Sequence, residues 1–312
     1  MFIKFFKDIS KKSVAEAGGK GASLGEMTKA GIPVPPGFVI LAEAFYRFLE
    51  ETDLTQAVQA ILDKINYKDI NAVDGASVQI RSLILKAPMP KDLEKDIKAD
   101  FKKLKTKFVA VRSSATAEDS SSASWAGELE TYLNTTDKTL LLNVKKCWSS
   151  LFTPRAIFYR HEKKLLKTKV GVAVVIQQMV DSEISGIAFT VHPVTQDKNQ
   201  MIIEAGYGLG EAIVSGSITP DSYVLDKRDY SFLDINIAEQ ARQIVKGATG
   251  GVKWVPVIKK AQAKQKLNGR QIVELAKICA GIEKHYQFPC DIEWAYKGGK
   301  FYVTQSRPIT TL

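Results

Sequence analysis

Residues 108–133 read FVAVRSSATAEDSSSASWAGELETYL. Phe108 to Val111 is a short apolar run, the mark of a buried strand. Arg112 follows directly, so a guanidinium is expected where the strand runs out. Ser113, Ser114, Thr116, Ser120, Ser121, Ser122 and Ser124 then supply hydroxyls with almost nothing to bury, which predicts a loop. Trp125-Ala126-Gly127 interrupts it with one large flat side chain and one glycine, and Glu128 to Leu133 returns to a strand-like pattern. An arginine beside backbone N–H groups and hydroxyls suits phosphate oxygens. The alternative is a solvated Ser-rich loop whose arginine pairs with Glu118 or Asp119.

Outward from that stretch, the 312 residues are enough for one large domain or two lobes with a proper core. Hydrophobic residues at 45% and charged residues at 25% are ordinary globular proportions. The net charge of +10 points to an anionic ligand or partner. Much of it comes from residues 91–107, KDLEKDIKADFKKLKTK, which read as an amphipathic helix with a solvated lysine face. Phe101 is the single aromatic among those lysines, too few for a stacking surface, and no groove-reading motif is visible, so no nucleic-acid partner is expected. Cys147, Cys279 and Cys290 have no CxxC spacing and are odd in number, which argues for a reducing compartment and against a disulfide framework. His161, His192 and His285 are scattered and suggest no metal cluster. The opening MFIKFFKDISKKS is too charged for a signal peptide, and the apolar run 170–176 is too short to span a bilayer. A cytoplasmic location without membrane partners is expected.

Gly18-Gly19-Lys20-Gly21 precedes a helical pattern over 22–30, with Gly31 as its C-cap. Backbone N–H groups and the helix dipole at such a turn favour an anion, and Lys20 adds a full charge; a plain flexible turn is the alternative, and the spacing is not that of a Walker A loop. Pro33, Pro35 and Pro36 force an extended segment into a strand at 38–40. Residues 42–49, 54–64, 76–85, 92–104, 140–151 and 154–164 read as helices with apolar stripes. Residues 170–176, 184–190, 201–205 and 222–225 read as strands, and 269–286 as one helix capped by Asn268. GYGLG at 206–210 lacks the continuation of a dinucleotide fingerprint. The change of texture near 166–176 separates a helix-rich front, 1–168, from a strand-rich back, 169–312, and a ligand is expected in a cleft between two such lobes.

Strands at 291–295 and 300–305 are joined at Gly298-Gly299. On a strand, residues two apart share a face, so Asp291 and Glu293 point together while Ile292 points inward. The facing strand offers Gln305 and Arg307 on one face, and the turn can bring Glu293 close to Gln305. Carboxylate and amide oxygens suit Mg²⁺, and Arg307 suits terminal phosphates. Two exposed hairpin faces laced by salt bridges are the alternative.

Taken in order, GGKGASLGEM, GIPVPPGF, VRSSATAED, SWAGELETYLN, IQQMV, SGIAFTVHPVT, GLGEAIVSG, TPDSY, DIEW and TQSRP resemble the N-terminal ATP-binding domain shared by phosphoenolpyruvate synthase (pyruvate, water dikinase), pyruvate phosphate dikinase and rifampicin phosphotransferase. The likeness runs from about residue 12 to about 310. It implies an α+β, ATP-grasp-type fold making residues 1–312 a single nucleotide-binding domain, with ATP in the cleft between its two lobes. It implies that Lys20 and Arg112 bind phosphate, that Gly127 and Thr131 lie near the phosphates, and that Gln177 contacts the nucleotide. Met179-Val180 looks like the hinge beside adenine. Glu293 and Gln305 match the pair that binds Mg²⁺ and phosphate, Arg307 the final phosphate contact, and Asp291 an acid at or behind the metal.

Two departures stand out. The synthase and rifampicin branches usually carry Gln after the loop glycine, where this chain has Glu128. The full enzymes continue into a phosphohistidine domain and, in two branches, a pyruvate-binding barrel; neither is expected within these residues, and none of the three histidines sits in the phosphohistidine motif. The resemblance therefore implies transfer of phosphate from Mg–ATP to a histidine on a separate domain or partner, as in phosphoenolpyruvate synthase. A rifampicin-type antibiotic phosphotransferase and a non-catalytic nucleotide-binding remnant are the alternatives.

Overall fold

The computed structural model describes residues 2–116, 130–165 and 170–309. The chain divides into two compact units, Met1–Glu26 with Pro36–Met179, and Met27–Pro35 with Val180–Leu312. Every strand pairing in both is antiparallel.

The first unit carries β1 (Ile3–Phe5), α1 (Val14–Lys29), β2 (Gly37–Ile40), α2 (Ala42–Glu51), α3 (Leu54–Leu62), α4 (Ile70–Lys86), α5 (Lys91–Lys103), β3 (Val109–Ala115), β4 (Thr131–Thr135), α6 (Leu140–Ser149), α7 (Pro154–Glu162) and β5 (Val172–Gln178). Its five strands lie in the order β1-β2-β5-β3-β4. β5 is the middle strand, which is why VAVVI is apolar without alternation: both of its faces are covered. This also moves the division of the chain. A boundary at 168/169 would assign β5 to the back half, yet it pairs with β2 and β3 and belongs to the first unit. One sheet face, with Val109, Val111, Val174 and Ile176, joins the helices in a core that includes Phe45, Phe48 and Trp148. The α5 lysines are solvated as expected, because Leu93, Ile97 and Phe101 recur every four residues and take the buried side.

The second unit carries β6 (Ile184–Phe189), β7 (Gln200–Tyr207), α8 (Glu211–Val214), β8 (Asp221–Asp226), β9 (Phe232–Asn236), β10 (Arg242–Lys246), β11 (Val252–Pro256), α9 (Lys259–Gln262), α10 (Gly269–Tyr286), β12 (Cys290–Lys297) and β13 (Lys300–Pro308). A six-stranded sheet runs β13-β12-β6-β7-β8-β9, and β10 with β11 makes a separate hairpin. α10 opens on a capping box of Asn268 and Gln271 and lays Ile272, Leu275, Ala276, Cys279 and Ile282 toward β7 and β12. β9, β10 and β11 give no strand signal in sequence because they have little to bury: every residue of β9 is exposed, and only Ile244 is buried in β10. Buried within this unit, Asp221 accepts from Lys266 Nζ (2.8 Å), Lys266 N (2.8 Å), Ala238 N (3.0 Å) and Tyr223 Oη (2.7 Å). The ion pair is fully solvent-excluded on both sides, and its hydrogen bonds offset the cost of desolvation.

Candidate functional site

In the first unit the decisive strand is longer than its sequence suggests. Ser113, Ser114 and Ala115 continue β3 and are buried, so Arg112 lies inside the strand and not at its end. Hydroxyls are tolerated there because each has a backbone partner. Ser113 Oγ donates to Glu130 O (2.7 Å). Ser114 Oγ donates to Ala17 O (3.0 Å) and accepts from Gly21 N (3.3 Å). Ser114 thereby ties the glycine-rich segment of α1 to the strand that carries Arg112.

That segment also differs from expectation. The break is at Gly18 (φ 70°, ψ 172°), between two helical stretches assigned together as α1. Lys20 therefore stands in the first turn of the second stretch, not in a free turn ahead of a helix at residue 22. Gly18 is required twice: its φ is left-handed, and a Cβ there would lie 2.2 Å from Ser114 Oγ and 2.5 Å from Ser114 O. Lys20 is near enough to buried Cys147 to oppose the rise in its thiol pKa that burial causes. Cys147 in turn lies against Val111 O (3.7 Å), next to Arg112.

Strand alternation puts Arg112 on the sheet face opposite the helical core. Arg112 is 7% exposed, and its Nη1 donates to Gln177 Oε1 (3.2 Å) on β5. Gln177 Nε2 is buried without a hydrogen-bond partner among the described residues. Thr131, on β4, is directly opposite Arg112 in register and exposed. Met179 N donates to Phe108 O (3.1 Å), and the division between the units falls between Met179 and Val180. Gly127 and Glu128 lie outside the described residues.

In the second unit the β12–β13 register pairs Glu293 with Gln305 and Asp291 with Arg307. Gln305 Nε2 donates to Glu293 Oε1 (3.1 Å). Arg307 Nε and Nη2 reach the same Asp291 oxygen at 2.9 and 2.8 Å. Burial raises the Asp291 pKa, opposed by Arg307. Ile292, between the two acids, is fully buried, as alternation requires. A β-bulge after Glu293 shifts the register, so that Trp294 faces Val303.

The register also reveals an acid that sequence reasoning passed over. Gln305, Glu293, Ile187 and Glu204 stand in one row across β13, β12, β6 and β7. Glu204 is half-buried, and its pKa is raised by burial and then by Asp291. The available signal was a lone carboxylate inside the apolar run MIIEA. Among the described residues no three His, Cys, Asp or Glu side chains converge closely enough to hold a metal by themselves. Carboxylate and amide oxygens of the kind that Glu293 and Gln305 carry are the donors that suit a hard cation whose remaining ligands are phosphates and water. No described helix is long and apolar enough to cross a membrane.

An α+β protein with a buried arginine on one antiparallel sheet, and an acid–amide pair beside a second arginine on another, has the equipment of a phosphate-handling protein. Over residues 14–312 the chain matches the family described as the AMP/ATP-binding domain of pyruvate phosphate dikinase, and it belongs to that family. It is 47% identical over 318 residues to the probable phosphoenolpyruvate synthase of Methanocaldococcus jannaschii, covering all of this chain and 27% of that protein. It is 41% identical over 359 residues to the phosphoenolpyruvate synthase of Pyrococcus furiosus, covering all of this chain and 44% of that protein. With the phosphoenolpyruvate synthase of Aquifex aeolicus the identity is 39% over 336 residues, covering 99% of this chain and 39% of the other. The chain thus spans 27% to 44% of the length of these curated relatives.

Proposed function

We propose that this chain binds Mg–ATP and performs the ATP half-reaction of a phosphoenolpyruvate synthase, phosphorylating a histidine on a separate domain or partner. The observation that carries this is the β12–β13 register, which sets a carboxylate–amide pair beside a guanidinium. In this reading the two units are the lobes of one ATP-grasp-type domain, and the nucleotide uses residues from both. Lys20 and Arg112 neutralise phosphate charge, with Gly127 and Thr131 beside the phosphates. Gln177 orients the nucleotide, and Met179-Val180 is the hinge beside the base. Glu293 and Gln305 hold the cation, and Arg307 the terminal phosphates. Asp291 holds Arg307 in place through its carboxylate (2.8 Å). Bound Mg²⁺ would supply charge neutralisation on the phosphate oxygens. Loose phosphoryl-transfer transition states need positioning and charge stabilisation more than covalent chemistry. The synthase reading is favoured over a rifampicin-type one by the names that the relatives carry. The overall reaction would be ATP, pyruvate and water to phosphoenolpyruvate, AMP and phosphate, in the cytoplasm.

The test is a thermal melt with Mg–ATP, AMP and GTP. Adenine nucleotide at about a hundred times its dissociation constant adds about 2.7 kcal/mol, a rise of several degrees. Glu293→Ala should lose most of the rise with Mg–ATP. No rise with adenine nucleotides, or an undiminished one in Glu293→Ala, would overturn the assignment. Addition of a phosphohistidine domain should then release AMP.

A further inference from the structure

The six-stranded sheet of the second unit ends on β9, which is paired only with β8. The apolar face of the sheet is unfinished there. On β8, Tyr223 and Leu225 are fully buried. Ile235 lies opposite Tyr223 and Phe232 opposite Leu225, so each shares the sheet face of a core residue. One strand further out, however, that face surfaces: Phe232 is 40% exposed, Leu233 50%, Ile235 43%, and Ile237, just past the strand, 41%. Among the described residues no backbone group of residues 232–237 forms a hydrogen bond outside the β8 ladder. Three other edge strands carry residues that discourage one sheet from joining another: β1 has Lys4, β11 has Lys253 and Pro256, and β13 has Lys300 and Pro308. β9, with the sequence FLDIN, has no lysine, arginine or proline, and neither do the residues on either side of it, Ser231 and Ile237.

An open edge with an apolar face is completed by another strand, and the order of side chains on β9 fits a second copy of itself. A two-fold axis through Ile235, perpendicular to the sheet, sets two β9 strands antiparallel with matching faces. Ile235 then meets its own counterpart, and Leu233 comes beside the second copy's Ile237. On the other face Asp234 meets the second copy's Asn236, carboxylate against amide, and the symmetry repeats that pair. The register centred one residue earlier would set Asp234 against Asp234, like charge against like, which is destabilising. The single charge of β9 therefore selects the Ile235 register. The β-bulge lies at the Phe232–Leu233 end of the strand, away from that axis. Residues 229–238 contain no cation, so the net positive charge of the chain is not concentrated at this edge.

We propose that this edge is a self-association surface: β9 pairs antiparallel with β9 of a second copy of this chain about Ile235, joining two six-stranded sheets into one. The contact is an edge and no wider, so the dimer belongs to the weak class of interfaces, below about 1,200 Å². Sedimentation velocity of the whole chain from about 1 µM to about 300 µM should show monomer giving way to dimer and to nothing larger, because a two-fold contact closes on itself. Ile235→Lys sets a cation against its own copy at the axis. It should weaken the dimer at least about tenfold and leave the melting temperature unchanged, since the side chain it replaces is exposed. Ile235→Cys should cross-link two chains when oxidised glutathione is added, and the chain's own three cysteines are buried. Leu233→Cys should not, because this register sets the two copies of residue 233 about 14 Å apart. A chain that stays monomeric throughout that range, an unweakened dimer in Ile235→Lys, or association beyond the dimer would overturn the proposal. Should Ile235→Lys fail to fold, the cysteine variants decide. A cross-link at 235 and not at 233 supports the pairing, and any other pattern overturns it.

Discussion

The two units fix their charged residues by different means. In the first, Lys20 and Arg112 are about ninety residues apart in sequence and are brought to one strand by Ser114, whose hydroxyl bonds span 93 and 97 residues. The tie works only because Gly18 has no Cβ. In the second, Asp291, Glu293, Gln305 and Arg307 sit on one hairpin, and their contacts span 12 and 16 residues. A tertiary clamp places one set of charges, and a strand register places the other. A clamp is broken by one atom in the wrong place, whereas a register survives the loss of any one side chain that it aligns.

Gly18→Ala tests the clamp and should have the largest effect. The left-handed φ costs a non-glycine residue about 1–2 kcal/mol. Overpacking against Ser114 adds about 1–3 kcal/mol, so the first unit should lose about 2–5 kcal/mol in denaturant unfolding. Trp148 reports on that unit, and Trp294 on the second. A Trp294 transition that stays in place while the Trp148 transition moves would confirm that the damage is confined to the clamp. A stability loss below about 1 kcal/mol would show that α1 shifts freely over β3, and the clamp would be no clamp.

Arg307→Ala tests the register. Its side chain is 44% exposed, and its pair with Asp291 is partly solvated. Such pairs contribute about 0–1 kcal/mol, so the melting temperature should hardly change while Mg–ATP affinity falls. A large loss of stability would mean that the hairpin depends on this pair and not on its backbone ladder.

The same contrast explains what could be read from sequence. That Asp291 and Glu293 share one strand face, and Gln305 and Arg307 another, was legible from alternation, a local signal; the two-glycine turn alone would set Glu293 opposite Thr304, and the β-bulge after Glu293 sets it opposite Gln305. The helices with clear apolar stripes were legible for the same reason. The continuation of β3 through Ser113, Ser114 and Ala115 was not, because polar residues enter a sheet interior only when distant backbone groups satisfy them. Ala17, Gly21 and Glu130 are those groups. The break at Gly18 was likewise hidden, since its cause lies on β3. Arg160 falls in a segment that reads as a helix with an apolar stripe; its burial depends on packing that no local pattern encodes.

Glu204→Gln gives the smallest effect, opposite in sign to the others. Glu204 is in the row of Glu293 and Gln305, and its pKa is raised above the ordinary 4.5, chiefly by burial. The folded state therefore keeps this proton at pH values where the unfolded chain has lost it. Stability falls as pH rises through that window, because the folded state binds more protons there. Glutamine has no proton to lose, so the variant should gain on the wild type as pH climbs above 4.5 and hold a constant advantage above the raised value. Denaturant unfolding from pH 4 to 8 measures this difference. A gap that does not change with pH would mean that the Glu204 carboxylate is as well solvated in the fold as in the unfolded chain. The acidic row would then end, electrostatically, at Glu293.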